Sequence, residues 1–161
     1  MADPGAEHHA IDVPVEELPA IDEHAVVVRA SQQETWGAVV ETLPRSLGPL
    51  ARRGATALGC EHTEASGGMT IGSTIPGFIV SRSIRPAMLV LLGEHRFSQY
   101  ALLFRVDALD GGRSLLRAET RAEFPGIRGH IYRTLVIGTR GHVLAVMRML
   151  RAIRRRAERS G

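Results

Sequence analysis

Gly126 to Glu158 reads GIRGHIYRTLVIGTRGHVLAVMRMLRAIRRRAE, and this stretch decides the fold. No proline interrupts it, so no residue in it lacks the backbone N–H that a helix needs. As a helix it would span roughly 50 Å at 1.5 Å per residue. At about 100° per residue, Ile127, Ile131, Leu135, Gly138, His142, Ala145, Val146, Met149 and Ile153 fall on one side. His130, Arg133, Arg140, Arg148, Arg151 and Arg155 fall on the other. The spacing predicts one long amphipathic helix lying on an apolar surface. Two positions break the apolar face. Gly138 costs about 1 kcal/mol of helix propensity relative to alanine. His142, one turn on, carries a titratable ring.

The surface for that helix comes from the strands before it. From Ser98 to Ala108, Tyr100, Leu102, Phe104, Val106 and Ala108 alternate with Gln99, Arg105 and Asp107. Asp110-Gly111-Gly112 is a hairpin turn. From Ser114 to Phe124, Leu116, Ala118, Thr120, Ala122 and Phe124 share one face, and Arg117, Glu119, Arg121 and Glu123 share the other. Alternating charge of this kind marks a solvated antiparallel surface.

Working upstream, Met88 to His95 (MLVLLGEH) and Phe78 to Ile84 (FIVSRSI) read as strands separated by Arg85-Pro86. Met69 to Ile75 is a further strand closed by Pro76-Gly77, and Ala55 to His62 is a weaker one. Ala25 to Ala30 (AVVVRA) is a β-branched strand. Ser31 and Glu34 after it form a capping box. That box opens a helix from about Gln32 to Leu43, ended or kinked by Pro44, and a second short helix is predicted over Ser46 to Arg53. Residues 1–21, with Pro4, Pro14, Pro19 and interspersed acids, read as a flexible acidic arm ahead of a single domain over 22–161. The fold class is α+β: a curved antiparallel sheet of six to seven strands wrapped around a long C-terminal helix, with two short helices after strand 1.

Composition narrows the function. The hydrophobic fraction of 44% is enough for a real core. No apolar run reaches a membrane span, and no secretory signal opens the chain, so a cytoplasmic location is expected. Cys60 alone makes no disulfide and reads as a small apolar strand residue. Net charge is +3 with every cation an arginine. The arginines crowd the C-terminal helix, where they suit a solvated face near the negative end of the dipole. Aromatic residues are 4% of the chain, which argues against a base-stacking surface and hence against specific nucleic-acid binding. P-loop, Rossmann, zincin, CxxC and nucleophile-elbow signatures are absent, and the histidines have no zinc-ligand spacing. No cofactor or metal is called for.

The order of elements resembles the START-like helix-grip superfamily of polyketide cyclases, dehydrases and lipid-transport proteins, often labelled SRPBCC. The resemblance covers roughly Ala25 to Arg156. It rests on Val28-Arg29-Ala30-Ser31 leading through Glu34 to Trp36, on His95-Arg96-Phe97-Ser98-Gln99-Tyr100 paired with Arg117-Ala118-Glu119-Thr120, and on the join Phe124-Pro125-Gly126. It implies a cavity between helix and sheet that holds a hydrophobic small molecule. The candidate ligand-binding residues are Tyr100, Phe104, Tyr132, Leu135, Gly138 and His142. Glu94 and His95 occupy opposite strand faces, so only one points inward. Arg82, on the face of Phe78, Val80 and Ile84, would bind a carboxylate or ketone oxygen if that face is internal. Two alternatives stay open: an aromatase/cyclase-type enzyme acting on a polyketide, and an interaction module using the arginine-rich end Arg151 to Arg159 on an acidic protein, a membrane surface or, without sequence specificity, nucleic acid.

Overall fold

A computed structural model describes residues 14–46, 53, 56, 57, 59, 60, 67–95, 98–124 and 141–160. A 3-10 turn (Val15–Glu17) precedes β1 (Ala20–Val28), α1 (Gln32–Ser46), β2 (Thr74–Ile75), β3 (Phe78–Ile84), β4 (Met88–His95), β5 (Ser98–Leu109), β6 (Arg113–Glu123) and α2 (Gly141–Ser160). The six strands form one open antiparallel sheet in the order β1-β6-β5-β4-β3-β2.

The register settles which side chains share a face. Tyr100, Leu102, Phe104 and Val106 of β5 stand opposite Ala122, Thr120, Ala118 and Leu116 of β6, and opposite Gly93, Leu91 and Leu89 on β4. On β1 the same inner face carries Asp22, His24, Val26 and Val28. Helices α1 and α2 pack there, and Trp36, Val39, Leu43, Phe104, Leu116, Leu150 and Ile153 join one buried core. Burying a side chain such as Leu150 or Ile153 contributes about 1.5–3 kcal/mol.

Helix α1 begins as its capping box dictates. Ser31 N–H donates to Glu34 Oε2 at 2.7 Å, and Glu34 N–H donates to Ser31 Oγ at 3.3 Å. The hydrogen bonds from Ser31 hold the Glu34 carboxyl below its usual range. Gln32 Nε2 donates to the Val106 carbonyl at 2.6 Å, and Thr35 Oγ1 meets Ser114 Oγ at 2.8 Å, which fixes α1 across the β5–β6 end of the sheet. Pro44 lies inside the last turn rather than ending the helix at Leu43. Of the second short helix expected over Ser46 to Arg53, all but the two end residues fall outside the described residues, so one helix is described after β1 where two were predicted. At its far end α2 is tied down by Glu158, which accepts Arg29 N–H at 3.0 Å and Arg154 Nε–H at 3.1 Å, and by an Arg156–Glu41 ion pair to α1. Arg154 and Arg156 of the basic end are thus engaged within the chain.

Several expectations need correction. β1 starts at Ala20 rather than Ala25, because its first half pairs with β6 although its residues are polar. The strand expected over Met69 to Ile75 is confined to Thr74–Ile75: Met69 takes φ 59°, and Ser73 Oγ accepts Thr70 N–H at 3.1 Å, a local bond that competes with a ladder. In the weaker strand expected over Ala55 to His62, Gly59 instead closes a turn onto the Thr56 carbonyl at 3.1 Å with φ 74°. Cys60, half-buried, therefore lies outside any strand. The register of β3 slips between Val80 and Arg82, so Arg82 stands opposite Val90 on the outer face, 3.5 Å from Glu16. A β-bulge moves a side chain to the other face in this way.

The outer face is also apolar at its centre. Val90 and Leu92 of β4 and Ala101 and Leu103 of β5 form a second cluster with Val15 and Leu18, and Leu18 is 2% exposed. Part of the stretch read as a flexible arm is therefore a packed strap. Beside it, Glu119 accepts from Arg105 at 2.8 Å and Arg121 at 2.6 Å. Burial alone would raise the Glu119 carboxyl, but the two guanidinium hydrogen bonds outweigh it and hold the group below its usual range.

Candidate functional site

Strand period places Asp22 and His24 inward on β1, at the edge where α2 crosses. His142 lies in the first turn of α2 as described. Its Nε2 is 2.6 Å from Asp22 Oδ2, and His24 Nε2 is 3.3 Å from the same oxygen. Thr120 stands opposite Asp22 across the β1–β6 ladder. Asp22 Oδ1, Thr120 Oγ1 and His142 Nδ1 are buried and have no hydrogen-bond partner among the described residues. Buried polar atoms are nearly always paired, and leaving one unpaired costs about 1–3 kcal/mol. These three atoms form one buried polar patch among the described residues, on an inner face whose other side chains include Leu102, Phe104, Ala118, Leu116 and Val26. Among the described residues, no group of His, Cys, Asp and Glu is disposed to hold a metal ion.

The same inner face carries a second polar group two strands away, roughly 10 Å at the usual strand spacing. The Tyr100 ring lies directly against Gly93 on the neighbouring strand: a Cβ on Gly93 would meet Tyr100 Cε2 and the Gly77 carbonyl oxygen, each at 2.3 Å. Tyr100 Oη donates to that carbonyl at 2.8 Å and lies 3.6 Å from Cys60 Sγ. Phe78 meets the Tyr100 ring edge-on at 5.2 Å, and His95 lies 5.4 Å from it. His95 is thus the inward member of the Glu94–His95 pair, and burial pushes its imidazole below the ordinary value. Between Tyr100 and Asp22 the floor is β6, whose inward side chains Ala118, Thr120 and Ala122 are small.

Solved structures of similar shape cover most of the chain. A conserved protein from Geobacillus kaustophilus matches at 15% identity over 86% of this chain and 95% of that one, with a TM-score of 0.55. Truncated norcoclaurine synthase from Thalictrum flavum matches at 16% identity over 85% and 94%, with a TM-score of 0.53. A START superfamily protein from Mycobacterium smegmatis matches at 14% identity over 88% and 99%, with a TM-score of 0.52. The chain has the START-like helix-grip fold. No protein-family model and no curated protein matches the sequence, so at these identities the likeness carries the fold and not an activity.

Within this helix-grip fold the predicted site residues separate. His142 reaches the polar patch, paired to Asp22. Tyr100 is inward, and its hydroxyl donates to the Gly77 carbonyl. Phe104 is fully buried in the main core beside Ala118 and Leu89. Tyr132, Leu135 and Gly138 lie outside the described residues. Ala145, expected on the inner face of the helix, is exposed, and Leu150 is buried with Val146, Met149 and Ile153 instead. Asp22, His24 and Thr120 are the site residues that sequence reasoning missed. Their signal was parity: Asp22 and His24 share a strand face with Val26 and Val28. No helix of the described residues is long and apolar enough to cross a membrane.

Proposed function

We propose that this chain binds a hydrophobic small molecule between the inner face of the sheet and the C-terminal helix, with the ligand's polar end at Asp22, Thr120 and His142. The observation that carries this reading is the set of three buried polar atoms on a largely apolar face that have no partner among the described residues. A ligand group that paired them would recover the cost of leaving them bare. Its apolar body would add about 25 cal/mol for each Å² buried, less the entropy of binding. The fold supports the reading, since a START superfamily protein and norcoclaurine synthase share it. Tyr132, Leu135 and Gly138, which precede α2 in sequence, are proposed as further ligand contacts.

The test is a panel of fatty acids, sterols and aromatic polyketides, screened by thermal shift and by native mass spectrometry. At least one class is expected to raise the melting temperature and to travel with the folded chain. Thr120→Val keeps the shape of the side chain and removes the hydroxyl. It should weaken that ligand about fivefold, the worth of one hydrogen bond. If no member of the panel binds, the reading fails.

A further inference from the structure

The geometry of Asp22 and His142 carries a chemistry that binding does not use. An ionised carboxylate only accepts hydrogen bonds, so the histidine nitrogens that face Asp22 Oδ2, His142 Nε2 at 2.6 Å and His24 Nε2 at 3.3 Å, are the protonated ones. In a neutral imidazole the remaining nitrogen then holds the lone pair. For His142 that nitrogen is Nδ1, which is buried and has no partner among the described residues. A carboxylate that fixes one imidazole nitrogen, leaves the other free to take a proton, and stabilises the imidazolium that results is the arrangement of a histidine base and its orienting acid. The Thr120 hydroxyl, beside Asp22 across the ladder and equally without a partner among the described residues, supplies a hydrogen-bond donor in the same patch.

We infer that His142 is a general base toward the bound ligand, with Asp22 as its positioning residue, and that the substrate class is an apolar carbon acid with an enolisable carbonyl. The inference rests on the binding reading above. A lone pair and a hydroxyl donor in one patch suit a group whose acidic proton and developing oxyanion are neighbours, and an enolisable ketone is such a group. In the step, a C–H bond next to the carbonyl breaks. Its electron pair forms the carbon–carbon double bond of the enolate, and the carbonyl π pair moves to oxygen. The proton goes to His142 Nδ1, and the imidazolium rests against the Asp22 carboxylate. Thr120 Oγ1 donates to the enolate oxygen. Return of the proton to the enolate oxygen completes a keto–enol tautomer shift with no other reactant.

The test uses the full chain and 5-nitrobenzisoxazole, a flat apolar carbon acid. A base takes its C3 proton as the N–O bond breaks, and the product is the coloured 2-cyano-4-nitrophenolate. Binding of the probe is measured separately by calorimetry, and folding of each variant by circular dichroism. The wild-type chain should turn the probe over with saturation. His142→Gln keeps a side-chain N–H for Asp22 and removes the base, so kcat should fall about a hundredfold, far more than probe affinity changes. Asp22→Asn should lower kcat with KM held, a split that a merely structural role would not produce. Added imidazole should restore part of the rate in His142→Ala. If the probe binds and His142→Gln turns it over as fast as wild type, the base assignment is overturned and the binding reading stands. If the wild-type chain does not bind the probe, the inference falls together with that reading.

Discussion

Replacing Gly93 by alanine tests how the inner face is built. A Cβ there would stand 2.3 Å from the Gly77 carbonyl oxygen and 2.3 and 2.5 Å from Cε2 and Cζ of Tyr100. The carbonyl belongs to the tight turn joining β2 and β3, where Thr74 pairs with Ile79 and Ile75 with Phe78, so it cannot retreat without opening that hairpin. The ring must move as well. Moving it gives up the 2.8 Å bond from Tyr100 Oη to Gly77 and the edge contact with Phe78. Overpacking costs about 1–3 kcal/mol and a lost hydrogen bond about 1, so the substitution should destabilise by about 2–4 kcal/mol. For a chain of this length that lowers the melting temperature by about 5–15 °C. Urea unfolding of Gly93→Ala, Tyr100→Ala and the double variant measures it. Removing the ring relieves the two ring contacts and leaves the one with the Gly77 carbonyl, so the double variant should be more stable than the sum of the singles by about 1 kcal/mol. Strict additivity, or a Gly93→Ala chain as stable as wild type, would refute the packing described.

Other perturbations separate the two faces of the sheet. Glu119→Gln should cost about 1–2 kcal/mol, a value discounted from the buried-pair range because Arg105 and Arg121 are partly exposed. The Glu119 carboxyl titrates lower in the folded chain than in the unfolded one. Its contribution is therefore present above the unfolded titration range and is lost as pH falls through the folded one, and the Gln variant should show a flatter acid limb in a plot of melting temperature against pH. Leu18→Ala strips the strap from the outer cluster and should cost about 2–4 kcal/mol in urea unfolding, while ligand affinity at the inner face is unchanged. Tyr100→Phe should cost about 1 kcal/mol by the same measurement and leave ligand affinity unchanged, because the hydroxyl it removes is engaged by Gly77.

The strands that were legible are those whose evidence is local. Phe78–Ile84 and Met88–His95 have the predicted bounds, and β5 and β6 differ from theirs by a residue at an end, because alternation and turn residues sit side by side in the sequence. The capping box is equally local. What stayed hidden depends on distant partners. Asp22 and His24 share the strand face of Val26 and Val28 but are polar, and what they meet is set by the pairing with β6 and by His142, 120 residues after Asp22. The bulge that turns Arg82 outward leaves no mark in an otherwise regular strand. The strap was foreshadowed by MLVLL in β4: a strand apolar on both faces needs cover on both, and Val15 and Leu18 provide it on the outer one.

The account is tested most directly by mapping where a hydrophobic ligand sits. The 15N-labelled chain would be titrated with 8-anilinonaphthalene-1-sulfonate and followed by 1H–15N spectra. The account predicts that the largest shifts fall on Asp22, His24, Thr120, Ala122 and His142, with the His142 side-chain nitrogens among them. Shifts confined to the outer face at Arg82, Met88, Val90 and Leu103, or no shifts at all, would contradict it.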